Sequence, residues 1–147
     1  MADLGDFARV GGQDNGLCVV ATLRADATIQ ASVVNAGVFD HPVSGTRGVG
    51  FVAIGGSHKL RNLRARPRAT LVVRSGWQWV AAEGPVELIG PDDLVGGMSP
   101  EALRLALRAA FVAAGGVHDD WDEYDRVMAA ERRTIVFVIP DRVYSSG

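Results

Sequence analysis

The chain has 147 residues, of which 48% are hydrophobic and 22% are charged, and its formal net charge of −2 is ordinary for a soluble globular protein. We therefore expect residues 1–147 to form a single domain that buries a core of its own. A single cysteine excludes an internal disulfide, and no apolar run approaches the roughly 18 residues of a membrane span, so a transmembrane protein is not expected.

Six segments predict β-strands, because each is rich in β-branched and apolar residues or alternates apolar with polar ones. They cover residues 17–23, 28–39, 49–54, 69–74, 77–89 and 134–144. Arg24–Ala27 supplies the turn that joins the first two as a hairpin, and Gly84-Pro85 interrupts the fifth as a bulge or edge position would. The last strand is predicted to continue past Pro140.

Three helices are predicted between these strands. Ser57–Arg66 ends before Pro67, which cannot continue a helix. The second begins at Ser99-Pro100-Glu101, with an N-cap, a proline at the first helical position and an acid in the first turn, and it ends at Gly115-Gly116. The third covers about Trp121–Glu131. Six strands with few helices predict a mainly β, α+β fold, a six-stranded antiparallel barrel with helical inserts.

Positive charge is concentrated in the 42 residues from His41 to Ala82, which contain no Asp or Glu. This acid-free run carries seven fixed cations: Arg47, Lys59, Arg61, Arg64, Arg66, Arg68 and Arg74. Such segregation predicts a local positive field that attracts anionic ligands although the whole chain is acidic. Nucleic acid is not the expected partner, because the cations lie mostly across strands and one short helix and the net charge is negative.

The segment Gly55–Leu63, at the centre of the run, has the features of a phosphate site. Small residues leave a strand there and lead into a short helix with Ser57 near its start, and helix-start amides beside Lys59 suit a phosphate. Lys59 is the only lysine against fourteen arginines, which indicates a position where a planar guanidinium would not serve. The alternative is a solvated helix face, and the residues alone leave both interpretations open.

No motif of a self-sufficient catalytic centre is present, neither GxSxG, HExxH, CxxC nor a glycine-rich phosphate loop ending in Lys. His41, His58 and His118 lack metal-ligand spacing, and only His58, next to Lys59, is expected to contact a ligand. Cys18 lies in an apolar run, which predicts an inert buried thiol. We therefore predict no catalytic side chain and no metal, and expect a cofactor to supply the chemistry.

Two further features suit a planar ligand. Trp77 and Trp79 alternate on the fifth predicted strand, so both are predicted to project to one face, either as stacking groups or as core or dimer-interface aromatics. Asn35-Ala36-Gly37 offers small side chains over which a flat ring could lie against the backbone.

The order of elements resembles that of the pyridoxamine-phosphate-oxidase-like split β-barrel superfamily, over about residues 8–144. Three segments carry the resemblance: Ser57–Leu63, Arg66-Pro67-Arg68 and Glu83–Ile89. Within the superfamily, the chain is most similar to the actinobacterial class B flavin/deazaflavin oxidoreductases, which use coenzyme F420. It departs from the family pattern at His58, where many relatives carry Arg before the Lys, and in the loop 40–48, which is longer than usual.

This resemblance implies a homodimer with the cofactor in a cleft between subunits, and hydride transfer from reduced F420 to an electron-poor small organic molecule. It implies that Lys59, Ser57 and Asn62 bind the phosphate and the sugar-like linker of the cofactor, with Arg61 beside them. An FMN-dependent reductase or oxidase, or a non-enzymatic carrier of flavin or haem, is the alternative. The acidic start Met1–Asp6 is unlike a signal peptide, so a cytoplasmic protein is expected.

Overall fold

The computed structural model describes residues 1–146, in which seven strands and four helices form. The strands are β1 (Leu17–Leu23), β2 (Ile29–Asp40), β3 (Arg47–Ala53), β4 (Arg68–Ser75), β5 (Gln78–Ile89), β6 (Thr134–Val138) and β7 (Arg142–Ser145). The helices are α1 (Leu4–Gly12), α2 (His58–Ala65), α3 (Pro100–Ala113) and α4 (Trp121–Ala130). None of these helices is long and apolar enough to cross a membrane.

Six strands close into an antiparallel barrel, which confirms the predicted fold. They pair in the order β4-β1-β2-β3-β6-β5, and β5 pairs back with β4 to complete the circle. Alternate residues of each strand point inwards, so that side chains such as Val20, Phe51 and Leu71 are fully buried. Burial of these apolar side chains is the main force that stabilises the barrel.

The seventh strand arises where one strand was predicted over residues 134–144. The prediction of a continuous strand is wrong, because β6 ends at Val138 and β7 begins only at Arg142. Pro140 has no N–H for the ladder, and the chain crosses β5 at Gly84, where an added Cβ would lie 2.3 Å from the carbonyl oxygen of Ile139. Gly84 therefore allows two successive strands to pair with the same edge of β5, with β6 beyond the crossing and β7 before it.

The fifth strand begins one residue later than predicted, and this changes the place of a tryptophan. Gly76 and Trp77 form the two-residue loop between β4 and β5, with Ser75 opposite Gln78. Gly76 has φ +60°, as the first position of a two-residue hairpin loop requires. Trp77 thus stands in the turn and is 97% exposed, so the prediction that it shares a strand face with Trp79 is wrong.

Helix α1 was not predicted, although its start carries a signal. Asp3 caps the helix, its carboxylate accepts from the amide of Asp6 at 2.9 Å, and the Asp6 carboxylate accepts from the amide of Asp3 at 3.0 Å. Phe7 and Val10 are buried in the same core as the barrel strands. The helix thereby contributes to the core of the barrel.

His41 organises the loop between β2 and β3. The residue is buried, its Nδ1 accepts from the amides of Val43 and Ser44 at 3.1 Å each, and its Nε2 lies 3.1 Å from the carboxylate of Glu87. The ring also packs edge-on against Phe137, with centroids 5.3 Å apart. His41 is thus a loop residue whose side chain fixes the loop onto the barrel.

Candidate functional site

A cleft opens where β2 and β3 separate. The two strands pair only from Ala36↔Phe51 to Asp40↔Arg47, whereas β2 continues along β1 back to Ile29. The edge of Val33–Asn35 that faces away from β1 has no strand partner within residues 1–146, and it lines a cavity of about 770 Å³. Cofactor and small-molecule sites occupy roughly 300–1,000 Å³, so the cavity is of the right size for one.

Residues of helices α3 and α4 also line the cavity. The end of α3 rests directly on β2 at Gly37, where an added Cβ would lie 2.1 Å from the carbonyl oxygen of Ala113. Gly16 allows a second close approach, because a Cβ there would lie 2.5 Å from the carbonyl oxygen of Ala114. The absence of both side chains brings the last turn of α3, with Phe111, to the cleft.

The position of α3 corrects the predicted platform for a flat ring. Ala36 is 4% exposed and Gly37 is covered by the end of α3, so neither can support a ligand. Asn35 alone of the three lines the cavity. Its side-chain amide donates to the carbonyl oxygen of Asn15 at 2.8 Å, which leaves the side-chain oxygen as an acceptor.

Four rings pack together on the helical wall: Phe111, His118, Trp121 and Tyr124, whose centroids lie 4.9–6.4 Å apart. Three of them, all but Trp121, line the cavity. Nδ1 of His118 accepts from the amide of Asp120 at 3.0 Å, so in the neutral ring Nε2 carries the proton. The wall therefore presents apolar ring surface together with a hydrogen-bond donor.

An ionic cluster joins α3 to α4 behind this wall. Asp125 accepts from Arg104 Nη1 at 2.8 Å and from Arg108 Nε at 2.9 Å. The hydrogen bonds from Arg108, and then those from Arg104, lower the pKa of Asp125 from 3.8 to about 2. The Tyr124 hydroxyl adds a bond to the carbonyl oxygen of Leu107 at 3.0 Å. These contacts hold the ring wall in place.

The start of α2 forms one end of the cleft. Ser57 caps the helix and its hydroxyl accepts from the amide of Leu60 at 3.4 Å. The amides of His58 and Lys59 have no acceptor within residues 1–146. Ser57 and Lys59 both line the cavity, and Lys59 forms no ion pair in the described part of the chain. This end thus combines free helix-start amides with a cation, the chemistry that binds an anion.

Three residues predicted near the phosphate lie outside the cleft wall. His58 and Arg61 are exposed and do not line the cavity. The side-chain amide of Asn62 donates to the hydroxyl of Thr22 at 3.1 Å and so ties α2 to β1. The geometry therefore gathers Ser57 and Lys59, and leaves the other three on neighbouring surfaces.

The two tryptophans also lie away from the cavity. Trp77 stands in its exposed turn, and Trp79 packs edge-on against Tyr144, with centroids 6.0 Å apart and planes at 85°. Neither residue lines the cleft. In the described chain, the only ring surface that borders the cavity is that of α3, α4 and the loop between them.

The positive field predicted from the acid-free run is weaker than its charge count implies. Three of its arginines pair with carboxylates at or beyond the ends of the run: Arg47 with Asp40, Arg64 with Asp93, and Arg68 with Asp141. Folding thus neutralises part of the segregated charge. What remains unpaired in residues 1–146 includes Lys59 and Arg61.

The structure adds cleft residues that the sequence patterns did not indicate. They are Phe111, His118, Glu123, Tyr124 and Arg133. All belong to the helical insert or to the turn that follows it, and they reach the cavity through the docking of α3 on β2 or, for Arg133, through the pairing of β3 with β6. The aromatic spacing Trp121–Tyr124 after His118 was the one available signal, since residues three apart share a helix face.

Cys18 takes no part in the site. It is buried inside β1, and burial raises the pKa of its thiol to about 12. A thiol with such a pKa is protonated at neutral pH and unreactive. The prediction of an inert buried cysteine is confirmed.

Fold and cleft together define a closed β-barrel with a cofactor-sized cavity beside the point where two of its strands separate. Comparison with known families identifies the group within this class. The chain belongs to the pyridoxamine 5'-phosphate oxidase family, which matches residues 8–142.

Solved structures share the fold at low sequence identity. A conserved hypothetical protein of Mycobacterium tuberculosis superposes with a TM-score of 0.69 at 19% identity, over 99% of this chain and 84% of that one. A pyridoxamine 5'-phosphate oxidase-related, FMN-binding protein of Nostoc punctiforme gives 0.64 at 15% identity, over 99% and 84%. An F420 reductase gives 0.57 at 20% identity, over 88% and 90%. At these identities the likeness is one of fold.

Replacing Asp125 tests the ionic cluster behind the ring wall. Because the folded pKa of about 2 lies below the ordinary 3.8, the ionised carboxylate stabilises the fold above about pH 4, and this contribution is lost as the pH falls through 2. We expect Asp125→Asn to lower the free energy of unfolding at pH 7 by about 1 to 2 kcal/mol, since solvent screens the partly exposed pair. Urea denaturation of the wild type and the variant at several pH values from 7 to 2 measures this difference in the free energy of unfolding.

Asp14→Asn, at an exposed position outside any ion pair of the described chain, is the control and should change stability little at any pH. An Asp125→Asn deficit of the same size at pH 7 and pH 2 would show that packing, and not charge, is responsible.

Proposed function

We propose that this protein is an F420-dependent oxidoreductase of the class B flavin/deazaflavin type, which reduces an electron-poor small organic molecule. The observation that carries the proposal is the end of the cleft at α2, where Lys59, Ser57 and two amides without an acceptor in the described chain border a cavity of about 770 Å³. Membership of the pyridoxamine 5'-phosphate oxidase family and the fold shared with an F420 reductase support it.

The residues present match the chemistry of a flavin-like cofactor. A phosphate requires cationic and N–H donors, which Lys59 and the start of α2 offer. A tricyclic ring requires flat apolar surface and in-plane hydrogen-bond partners, which the Phe111–Tyr124 wall and the free edge of β2 offer. The side-chain oxygen of Asn35 adds an acceptor on the same side of the cleft.

Bound F420 supplies a hydride when reduced, so no protein nucleophile is required. Lys59 would hold the phosphate, the cleft residues of β2 and α3 would orient the ring, and the aromatic wall would exclude water. The Nε2–H of His118 is available to donate to a polar group of whatever occupies the cleft. An acceptor with an activated double bond in a conjugated or heteroaromatic molecule suits such a site.

His58 and Arg61, outside the cleft wall, have a role in this proposal. F420 carries an acidic tail that FMN lacks, and both residues are exposed on the helix whose start binds the phosphate. Attraction between the tail and the guanidinium of Arg61, beside which His58 offers an N–H donor, adds affinity that is sensitive to salt. Asn62, which bonds to Thr22, then supports α2 and does not contact the cofactor itself.

The protein is further proposed to be a homodimer that pairs through the outer face of β1 and β2. Five apolar side chains on this face are 41–65% exposed: Leu17, Val19, Leu23, Ile29 and Val33. Val19 lies opposite Val33, and Leu23 lies opposite Ile29, so they form one continuous patch. Val33 also lines the cleft, which would place the cavity at the edge of the dimer contact.

The FMN-dependent alternative is supported by the FMN-binding protein of the same fold. It requires the same phosphate end and ring wall, so the geometry of the cleft alone does not separate it from the F420 proposal. Titration of the purified protein with F420 and with FMN separates the two. Catalysis is then distinguished from a carrier role by mixing the protein with reduced F420 and a panel of activated alkenes. The oxidation of F420 is followed by absorbance.

We expect F420 to bind more tightly than FMN, and its affinity to fall more steeply with salt. The charges outside the cleft meet only the tail of F420, and contacts between exposed charges are screened over about 8 Å at physiological ionic strength. Fluorescence titrations at 50 and 500 mM salt measure both dissociation constants. Tighter binding of FMN, or equal salt dependence of the two, would favour the FMN-dependent reductase.

We expect the substitution Lys59→Ala to weaken the binding of either cofactor, F420 or FMN. Loss of a charge-assisted contact to phosphate costs about 1.5 to 3 kcal/mol, or roughly 10- to 150-fold in affinity. Folding should change by about 0.5 kcal/mol or less, because the Lys59 side chain makes no hydrogen bond or ion pair in the described chain. Arg126→Ala, an exposed cation of α4 that does not line the cavity, is the matched control. Unchanged affinity of Lys59→Ala would refute the phosphate assignment.

The dimer is tested at its proposed contact. Light scattering of the wild type at micromolar concentration should give about twice the protomer mass of 15.6 kDa. The double variant Val19→Asp, Val33→Asp should give the protomer mass, since it places like charges in apolar contact. Val112→Asp, at a 53% exposed position of α3, should remain dimeric. A monomeric wild type would exclude the dimer.

A further inference from the structure

A second cation lies at the phosphate end of the cleft, although it is 74 positions from Lys59 in the chain. β3 and β6 pair with Ala53 opposite Thr134, so the next residues along, Ile54 and Arg133, are adjacent where the ladder ends. Ile54, Ser57, Lys59 and Arg133 all line the cavity. Strand register therefore places Arg133 beside the segment that leads into α2.

Two backbone features fix this placement. The amide of Gly55 donates to the carbonyl oxygen of Glu131 at 3.0 Å, and an added Cβ on Gly55 would lie 2.7 Å from the carbonyl oxygen of Arg132. The turn at the end of α4 is a Schellman motif, in which Arg133 N bonds to Met128 O at 3.0 Å and Arg132 has φ +49°. The turn before Arg133 and the turn before α2 are thus held together.

The guanidinium of Arg133 is only partly satisfied. Its Nε donates to the carboxylate of Glu131 at 2.9 Å, while both terminal nitrogens have no acceptor within residues 1–146. The side chain is 24% exposed, so most of its surface is removed from water. A half-buried guanidinium that uses one of its five N–H groups has capacity for a further anion.

We propose that Arg133 is a second phosphate ligand, which binds the phosphate of the cofactor together with Lys59. This inference rests on the proposed cofactor site but not on the choice between F420 and FMN, since both carry a phosphate. Lys59 provides a point charge and Arg133 a planar fork, a combination that contacts different oxygens of one phosphate. Glu131 opposes the arrangement, because its carboxylate faces the same guanidinium and partly neutralises it.

The test compares ligands that differ by the phosphate alone. FMN and riboflavin form one pair, and the deazaflavin riboside of F420 with and without its 5'-phosphate, both lacking the acidic tail, form the other. In the pair that the protein binds, Arg133→Gln should lower the affinity for the phosphorylated ligand by about 10-fold or more. The affinity for the phosphate-free ligand should stay within about twofold of the wild-type value. Arg126→Gln is the control, and its affinities for the phosphorylated and the phosphate-free ligand should both equal those of the wild type.

Glu131→Gln gives a second measurement that does not remove the arginine. If Arg133 binds phosphate, loss of the opposing carboxylate should raise the affinity for phosphorylated ligands about 2- to 5-fold, because the guanidinium is then free to bind them. Unchanged binding in a folded Arg133→Gln variant, or an equal loss for both members of a pair, would overturn the inference. Were Arg133→Gln not to fold, an unchanged preference for phosphorylated ligands in Glu131→Gln would overturn it. If the protein binds FMN more tightly than F420, and this binding is weakened by Arg133→Gln, the proposed use of F420 is refuted but the inference about Arg133 stands.

Discussion

The cleft depends on the contact between the end of α3 and the backbone of β2. Two glycines make it possible, since a Cβ on Gly37 or Gly16 would overlap a carbonyl oxygen of Ala113 or Ala114. With α3 at this position, the ring of Phe111 lines the same cavity as Val33–Asn35 of β2. A longer side chain at either glycine would move α3 outward, because backbone carbonyls cannot shift independently of their helix. The width of the cavity is thus set by backbone packing.

The barrel could be predicted from the sequence because its strands are locally marked. Alternation and β-branched runs placed the barrel strands, and the N-cap at Ser99 and the stop at Pro67 placed two helix ends within two residues of the structure. The failures have local causes that depend on pairing. Pro140 divided the last strand because the chain crosses β5 at Gly84, and the loop at Gly76-Trp77 shortened β5 by one residue.

The candidate site was predictable only at the α2 end, where the helix start and its cation are adjacent in sequence. Ser57 and Lys59 lie in one turn, so their pattern is visible without a fold. Arg133 and the rings of Phe111 and His118 reach the same cavity through strand register and helix docking, which no local pattern contains. The tryptophans illustrate the converse, since Trp77 and Trp79 have the aromatic composition of a ring site but not its position.

Ion pairing separates the structural cations of this chain from those available to a ligand. Arg104 and Arg108 each bond to Asp125, and they fix the helical wall of the cleft. Lys59 has no carboxylate partner in the described chain, and Arg133 has one that uses a single nitrogen. A cation that is partly withdrawn from water and lacks a full set of acceptors gains more from an incoming anion than a paired or fully solvated one. Within the described residues, the cations best placed to receive an anion therefore lie where β3, α2 and the end of α4 meet, whereas three arginines of the acid-free run form ion pairs within the fold.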